Sequence, residues 1–316
     1  MNCFLYQLRF NTPVHFGSSD SALSLYSTED HFRADTLFSA LCHTAAQLFG
    51  NEGVEKLLNM AERGELRLSD GMPWQGDTLY LPKPCYTVQT AREIPAEKRK
   101  ALKKLAWIPA ERFEEYCRSL TMGTLFECEG VSFGRVVENT KAAVPDGGDA
   151  RPYPVGLYQF RENSGLYFLV DCDDQAWLGR LITALGYSGL GGKVTAGYGK
   201  FSVVRAESID GSVDAQCEWL CRKLKENQGS WMLLNSCLPR EEELEQALEG
   251  ASYQLVRRSG FIAADGTHPR KKRSQHFLTA GSVVRNPFEG DLYAVGTAGA
   301  YTVFRYSKPL FLRVTL

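Results

Sequence analysis

The sequence predicts an α+β protein in which antiparallel sheets carry helices on one face, built as two successive units. Three observations point there. The 316 residues suffice for about two cores. Over residues 1–207 the periodicity runs strand, helix, strand, strand, helix, strand once inserted segments are set aside. A polar stretch at 206–212, containing Gly211, then leads into a shorter set of elements over 208–316. The first order is the split-βαβ, ferredoxin-like (RRM-like) arrangement. In it both helices cover one sheet face, which predicts an open opposite face and free connecting loops.

Each element has its own signal. Residues 4–10 read as a first strand ending before Pro13, followed by a polar loop with His15, Gly17 and Ser18. Asp35 is placed as the N-cap of a helix with Leu37, Phe38, Leu41, Ala45 and Leu48 on one face. Gly50 and Gly53 punctuate its end, and residues 55–61 form a short second helix. Residues 66–68 and 78–81 are strands around a turn at 71–76, after which Pro82-Lys83-Pro84 breaks the pattern. Residues 85–130 read as an insertion with a lysine-rich helix near 97–105 and another at 113–120. Strand character returns at 131–137, whereas Pro145, Gly147, Gly148, Pro152 and Pro154 make 139–154 loop-like. After a strand at 165–170, Trp177, Leu178, Leu181, Ile182 and Leu185 recur at helical spacing, with Asp173 or Asp174 as cap. A strand then begins at Phe201. In 208–316 the pattern gives a helix at 217–224, a strand at 231–234 and an acidic helix at 240–249 ended by Gly250. Residues 252–258, 281–285 and 301–316 are extended. Residues 286–300 hold no helix signal, so this second ferredoxin-like unit lacks one element.

Composition narrows the function classes. Hydrophobic residues make up 44% and charged residues 23%, as in an ordinary soluble globular protein. The net charge of -1 excludes a uniformly basic surface, so any nucleic-acid contact must come from local patches. Met1 leads straight into strand-like sequence rather than a signal peptide. No apolar run approaches the ~20 residues that span a bilayer. The nine cysteines are scattered without a C-x-x-C pair, and Cys217 with Cys221 lacks the partners of a zinc set. These features predict reduced thiols in the cytoplasm, no metal and no cofactor.

Two patches remain. Residues 186–199 contain six glycines, with Lys193, Lys200, Tyr187 and Tyr198 in or beside the run. Such density needs either positive φ or close approach of a backbone or ligand. A Walker A loop is excluded because Gly192-Lys193 is followed by Val194, and G-x-G-x-x-G fails at Val194 and Ser202. Exposed amides, lysines and aromatic faces suit a sugar–phosphate backbone with stacked bases. The second patch gathers Arg257, Arg258, Arg270, Lys271, Lys272, Arg273 and Arg285, with His268 and His276 interleaved. Against a near-neutral chain it reads as a surface loop with the footprint of a polyanion site.

Several short segments, in order, carry a resemblance. They are Phe10-x-x-Pro13-x-His15-Phe16-Gly17, Ala34-Asp35-Thr36-Leu37-Phe38-Ser39-Ala40-Leu41, Leu81-Pro82-Lys83-Pro84 and Ser188-Gly189-Leu190-Gly191-Gly192-Lys193. Arg258-Ser259-Gly260-Phe261 and Phe277-x-x-x-Gly281-Ser282 complete them. The chain resembles subunit four of the Csm effector complex of type III-A CRISPR systems, within the RAMP superfamily. The resemblance implies a non-catalytic subunit that holds the 5′ handle of the CRISPR RNA. It also implies bridging between the large polymerase-like subunit and the backbone RAMP subunit, with target RNA met only indirectly and no membrane. It places a thumb-like hairpin at about 135–155, with Arg135, Asn139 and Lys141 as polar candidates. Residues 85–130 are least like the family.

The predicted function is therefore a single-stranded RNA clamp. The candidate RNA-binding residues begin with His15, Gly17, Ser18, Arg33 and Lys83. They continue with Arg135, Asn139 and Lys141 of the hairpin and Gly189, Gly191, Gly192, Lys193, Tyr198 and Lys200 of the glycine run. Arg257, Arg258, Arg270, Lys271, Lys272, Arg273 and His276 supply the basic segment. The alternative is a metal-independent repeat endoribonuclease using His15 as acid or base. A purely structural adaptor is the third reading, and a metal-dependent nuclease is disfavoured for want of a clustered Asp/Glu/His set.

Overall fold

The computed structural model describes residues 2–17, 25–86, 103–122, 124, 126–128, 130–143, 149–262 and 270–315. Ser18, His268, the tip of the hairpin and most of the lysine-rich segment at 97–105 lie outside the described residues. The chain begins with β1 (Cys3–Phe10), the short pair β2 (Phe16–Gly17) and β3 (Thr28–Glu29), and helix α1 (Ala34–Glu62). Next come β4 (Leu66–Leu68), β5 (Met72–Gln75), β6 (Thr78–Pro82), β7 (Trp107–Pro109) and helix α2 (Phe113–Met122). A long hairpin, β8 (Gly134–Ala143) with β9 (Arg151–Phe160), precedes β10 (Ser164–Cys172), α3 (Gln175–Ser188) and β11 (Phe201–Ser208).

The main sheet runs β11-β1-β10-β5-β6-β7, with β4 beside β5 on the same edge of β10. Its pairings are antiparallel. The order fourth, first, third, second strand is the split-βαβ arrangement that the periodicity predicts. Strand alternation assigns the faces. Tyr6, Leu8, Leu166, Phe168 and Val170 pack under α1 and α3, against Leu37, Phe38, Leu41, Leu178 and Ile182. Asp174 caps α3 by accepting from the Trp177 amide at 3.2 Å.

The opposite face is not open, which corrects the sequence expectation. Leu5, Tyr167, Leu169 and Met72 lie in a second core with Phe113 and Tyr116 of α2 and with residues from the rest of the chain. That part contains α4 (Ala215–Lys225), β12 (Ser230–Leu233), α5 (Leu244–Leu248), β13 (Leu255–Arg258), β14 (Phe261–Ile262) and β15 (Arg270–Lys271). It ends with β16 (Gln275–Leu278), β17 (Val283–Val284), β18 (Asp291–Ala298), β19 (Tyr301–Ser307) and β20 (Phe311–Val314). Leu220 and Leu224 of α4, with Met232, Leu312 and Val314, complete the second core. The reason was in β10: Leu166-Tyr167-Phe168-Leu169-Val170 is apolar on both parities, and a half-buried strand would alternate.

The later strands form a β17-β12-β20 sheet and three two-stranded pairs. Residues 286–300, which showed no helix, supply β18, paired with β19 through seven residue pairs. Tyr306 of β19 reaches across to the first unit. Its hydroxyl accepts from the Leu68 amide at 2.9 Å and donates to the Leu66 carbonyl at 3.1 Å.

Three local expectations change. Asp35 does not cap α1; Asp70 does, accepting from the Ala34 amide at 2.7 Å while its other oxygen accepts from the Ser236 amide and hydroxyl. One carboxylate thus satisfies an orphan helix donor and pins the second unit. The single assigned helix α1 breaks at Gly50, with φ 64 and ψ -154, so two helical halves are present as expected. Residues 139–154 are not simply loop: the arms of the β8–β9 hairpin run through them, with Pro152 and Pro154 paired to Ala142 and Thr140. Proline is tolerated because a two-stranded ribbon leaves one side of each strand without a ladder.

Candidate nucleic-acid interface

His15 joins the glycine run to the hairpin. It is 6% exposed. Its Nδ1 lies 2.7 Å from the Gly156 carbonyl of β9, so Nδ1 carries the proton and donates. Its own carbonyl accepts from the Gly192 amide at 2.8 Å. Val14 and Tyr158 exchange two further backbone bonds beside it.

The glycines serve this junction. A Cβ on Gly191 (φ +108) would stand 2.7 Å from the His15 carbonyl oxygen, and one on Gly192 2.7 Å from the His15 ring. A Cβ on Gly189 (φ +97) would meet the Tyr198 carbonyl at 2.5 Å. Close approach is therefore between segments of this chain, which corrects the expectation that these positions are held open for a ligand. Several amides are likewise used internally: Leu190 donates to Gly199 and Gly199 to Pro13.

The hairpin and the run meet through side chains. Asn139 donates to the Tyr198 hydroxyl at 2.7 Å, and Lys141 Nζ lies 5.0 Å from the Tyr198 ring centroid. Lys193 Nζ lies 5.2 Å from the ring centroid of Tyr153. Tyr198 is buried against Val155 and Leu157, so it anchors the junction instead of offering a stacking face. Tyr187 is the exposed aromatic of this region, at 79%. Lys193 adopts φ 60, a left-handed conformation unusual for a side chain of its size. Arg135 and Lys200 are exposed.

Two predicted cations turn out to be committed. Arg33 donates to Glu29 at 2.8 Å and to Ser236 at 2.9 Å. Arg258 holds Asp35 with two bonds, of 2.7 and 3.0 Å, and donates to Thr36. Burial acts to raise the Asp35 pKa, but Arg258, Arg305 and Arg33 outweigh it and hold the carboxyl below its ordinary 3.8.

The four-cation segment is not a uniform surface loop either. Arg270 and Lys271 form β15, paired with Phe261 and Ile262. Lys272 is half-buried, and its pKa is lowered by burial, against the pull of Asp35 and helped by Arg305 and Arg258. Arg257, Arg270, Lys271, Arg273 and His276 remain on the surface. Arg257 sits opposite His276 in the β13–β16 pair.

An interdomain groove of about 750 Å³ lies between 82–86 and 103–107 on one side and 251–254 and 279–280 on the other. Lys83, Lys103, Lys104, Trp107 and Tyr253 line it. Burial lowers the Lys83 pKa. His31 and Arg33 line both this groove and a smaller cavity under Gly191 and Gly192, so the two are contiguous. Sequence reasoning missed His31 and Trp107, whose rings meet edge-on at 5.3 Å. Trp107 sat inside a segment read as an insertion, although β7 belongs to the main sheet. All nine cysteines are free thiols, and no candidate metal cluster occurs among the described residues. No described helix is long and apolar enough to cross a membrane.

Comparison with known proteins agrees with this architecture. Residues 7–202 match the RAMP superfamily model, and 226–314 match the CRISPR Csm4 C-terminal domain. The chain is 33% identical over 319 aligned residues to the CRISPR system Cms protein Csm4 of Mycobacterium tuberculosis, covering 99% of this chain and 98% of that one. A chain in the crystal structure of a Csm3–Csm4 subcomplex of the type III-A CRISPR–Cas interference complex superposes with a TM-score of 0.63 at 21% identity, covering all of both chains. One in a Csm1–Csm4 cassette with AMPPNP gives 0.63 at 22% identity, covering 100% of this chain and 99% of that one. With full-length identity above 30% and the superfamily pattern across most of the chain, this protein belongs to the Csm4 family of the RAMP superfamily.

Proposed function

We propose that this chain is a non-catalytic RNA-binding subunit of a type III-A effector, holding the 5′ handle of the CRISPR RNA. The observation that carries the reading is the junction at His15. There the glycine run, the hairpin and the contiguous groove meet, with Lys193, Arg135, Lys200 and Lys83 around them. Cations for phosphates, aromatic faces for bases and polar groups for 2′-hydroxyls are what a splayed RNA strand needs. The division near residue 207 would then separate a hairpin-bearing RNA clamp from a unit that braces it. Bridging between a polymerase-like subunit and a backbone subunit draws support from the names of the similar structures, Csm1–Csm4 and Csm3–Csm4 assemblies.

The test is handle-RNA affinity of the chain purified with its partner subunits. The triple change Arg135→Ala, Lys193→Ala, Lys200→Ala should weaken binding roughly tenfold or more at physiological salt. Unchanged affinity would sink the clamp. The endoribonuclease reading gains one observation, since His15 and His31 line the same cavity. Site-specific cleavage of a repeat RNA without metal, lost in His31→Ala, would replace the non-catalytic reading.

A further inference from the structure

The small cavity beneath the glycine run has a volume of about 70 Å³. That is more than twice the ~30 Å³ share of one liquid water, so it admits a larger group. Arg33 from the first unit and Arg258 from the second both line it, together with His15, His31, Gly191 and Gly192.

Two donors here are not accounted for by the fold. Arg33 is 8% exposed, and its Nη atoms are bonded to Ser236 and Glu29. Its Nε is buried without a hydrogen-bond partner among the described residues. A buried cationic donor left unpaired is destabilising, so such a group calls for an acceptor that is absent from the chain itself. Arg258 uses Nε and Nη2 on Asp35 and Thr36, and among the described residues no partner is recorded for its Nη1.

The surrounding field has the same sign. Arg33, Arg258, Arg305 and Lys272 are set around Asp35, Asp70 and Glu29, four cations against three carboxylates. A tetrahedral oxyanion offers two outward oxygens, one for each guanidinium edge, and guanidinium groups favour such paired geometry. The roof of the cavity is the Gly191-Gly192 backbone, and the next residue is the left-handed Lys193, so it adjoins the run that carries the other cations.

We propose that this cavity seats one backbone phosphate of the bound RNA, between Arg33 Nε and Arg258. The inference rests on the RNA-clamp reading above. It adds that one phosphodiester is held by buried, pre-oriented arginines while its neighbours meet exposed lysines. That single contact fixes the register of the strand. Because the two arginines come from different units, the seated phosphate also ties the units together.

The experiment scans the handle RNA with methylphosphonates, each removing one phosphate charge, on the full chain with its partners. In the wild type one position should weaken binding roughly tenfold or more, well beyond its neighbours. In Arg33→Gln that excess penalty should vanish. Arg33→Lys, which keeps the charge and the Glu29 pair, should fold normally and show an intermediate penalty. A second arm adds inorganic phosphate to the RNA-free chain. It should raise the melting temperature of the wild type above a chloride control of equal ionic strength, and not that of Arg33→Gln. Evenly spread penalties, or a peak that survives in Arg33→Gln, overturn the seat while leaving the RNA clamp intact. Phosphate stabilisation without any RNA binding overturns the clamp, and with it the assignment of the seat to RNA. Loss of both responses in the wild type, or displacement of phosphate by an acidic peptide but not by RNA, overturns the proposal.

Discussion

Two groups of basic residues in this molecule place the same side chains in opposite circumstances. Arg33, Arg258 and Arg305 sit at the seam between the units, mostly buried and facing Asp35 and Glu29. Arg257, Arg270, Lys271 and Arg273 lie a few residues away in sequence and face solvent. The alternation of β13 separates the neighbours Arg257 and Arg258 onto different faces. Burial makes the first group stability-determining and geometrically fixed. Exposure makes the second group electrostatic, screened by salt and nearly neutral for folding. A sequence scan for charge sees one patch where the fold makes two.

The contrast can be broken most severely at Arg258. Arg258→Ala leaves the Asp35 carboxylate buried without its main partner, and should cost about 3–5 kcal/mol by denaturant unfolding. The double variant with Asp35→Ala should lose clearly less than the sum of the singles, because the two groups act as one unit. A loss below about 1 kcal/mol would erase the distinction between the clusters. The same pair predicts an acid limb. The folded pKa of Asp35 lies below its ordinary 3.8, so its contribution is complete above that value. It is lost as pH falls through the folded pKa, and Asp35→Asn should flatten that part of the pH–stability curve.

Gly192→Val should act next. Its Cβ would meet the His15 ring at 2.7 Å, and such overpacking typically costs about 1–3 kcal/mol. Gly197 is the control: it has φ +88 but nothing within 4 Å of an added Cβ. Gly197→Ala should show only the left-handed backbone penalty of roughly 1–2 kcal/mol. Equal stability of Gly192→Val and wild type would return the run to a ligand-facing role.

The smallest stability effect belongs to the exposed cations. Arg270→Ala, Lys271→Ala and Arg273→Ala should each change stability by no more than about 0.5 kcal/mol. If all three meet phosphates, the triple variant should lower the slope of log affinity against log salt by up to ~2. An unchanged slope assigns this strip to a protein partner or to solvent.

Much of the first unit was legible. Its helices follow from the spacing of Leu37, Phe38 and Leu41 and of Trp177, Leu181 and Leu185, and Asp174 caps as its position suggests. Local signals suffice there because a helix face and its cap are set within a few residues. The hairpin was half legible. Its prolines and glycines argued for loop, and only the resemblance placed a thumb there. The ladder from Arg135↔Gln159 to Ala142↔Pro152 depends on pairing across the turn, not on propensity.

The sequence by itself determined the order of elements, the α+β class, the positions where only glycine fits and the family. These depend on periodicity, φ preference and motif order, all local properties. The tertiary structure alone decided which charge meets which: that Asp70 caps α1, that Asp35 serves Arg258, and that Arg33 keeps an unpartnered Nε beside Gly192. Those partners are separated by 36 and 223 positions along the chain. No local pattern encodes a contact at that distance. It arises when two cores close on opposite faces of one sheet and bring their charged rims together.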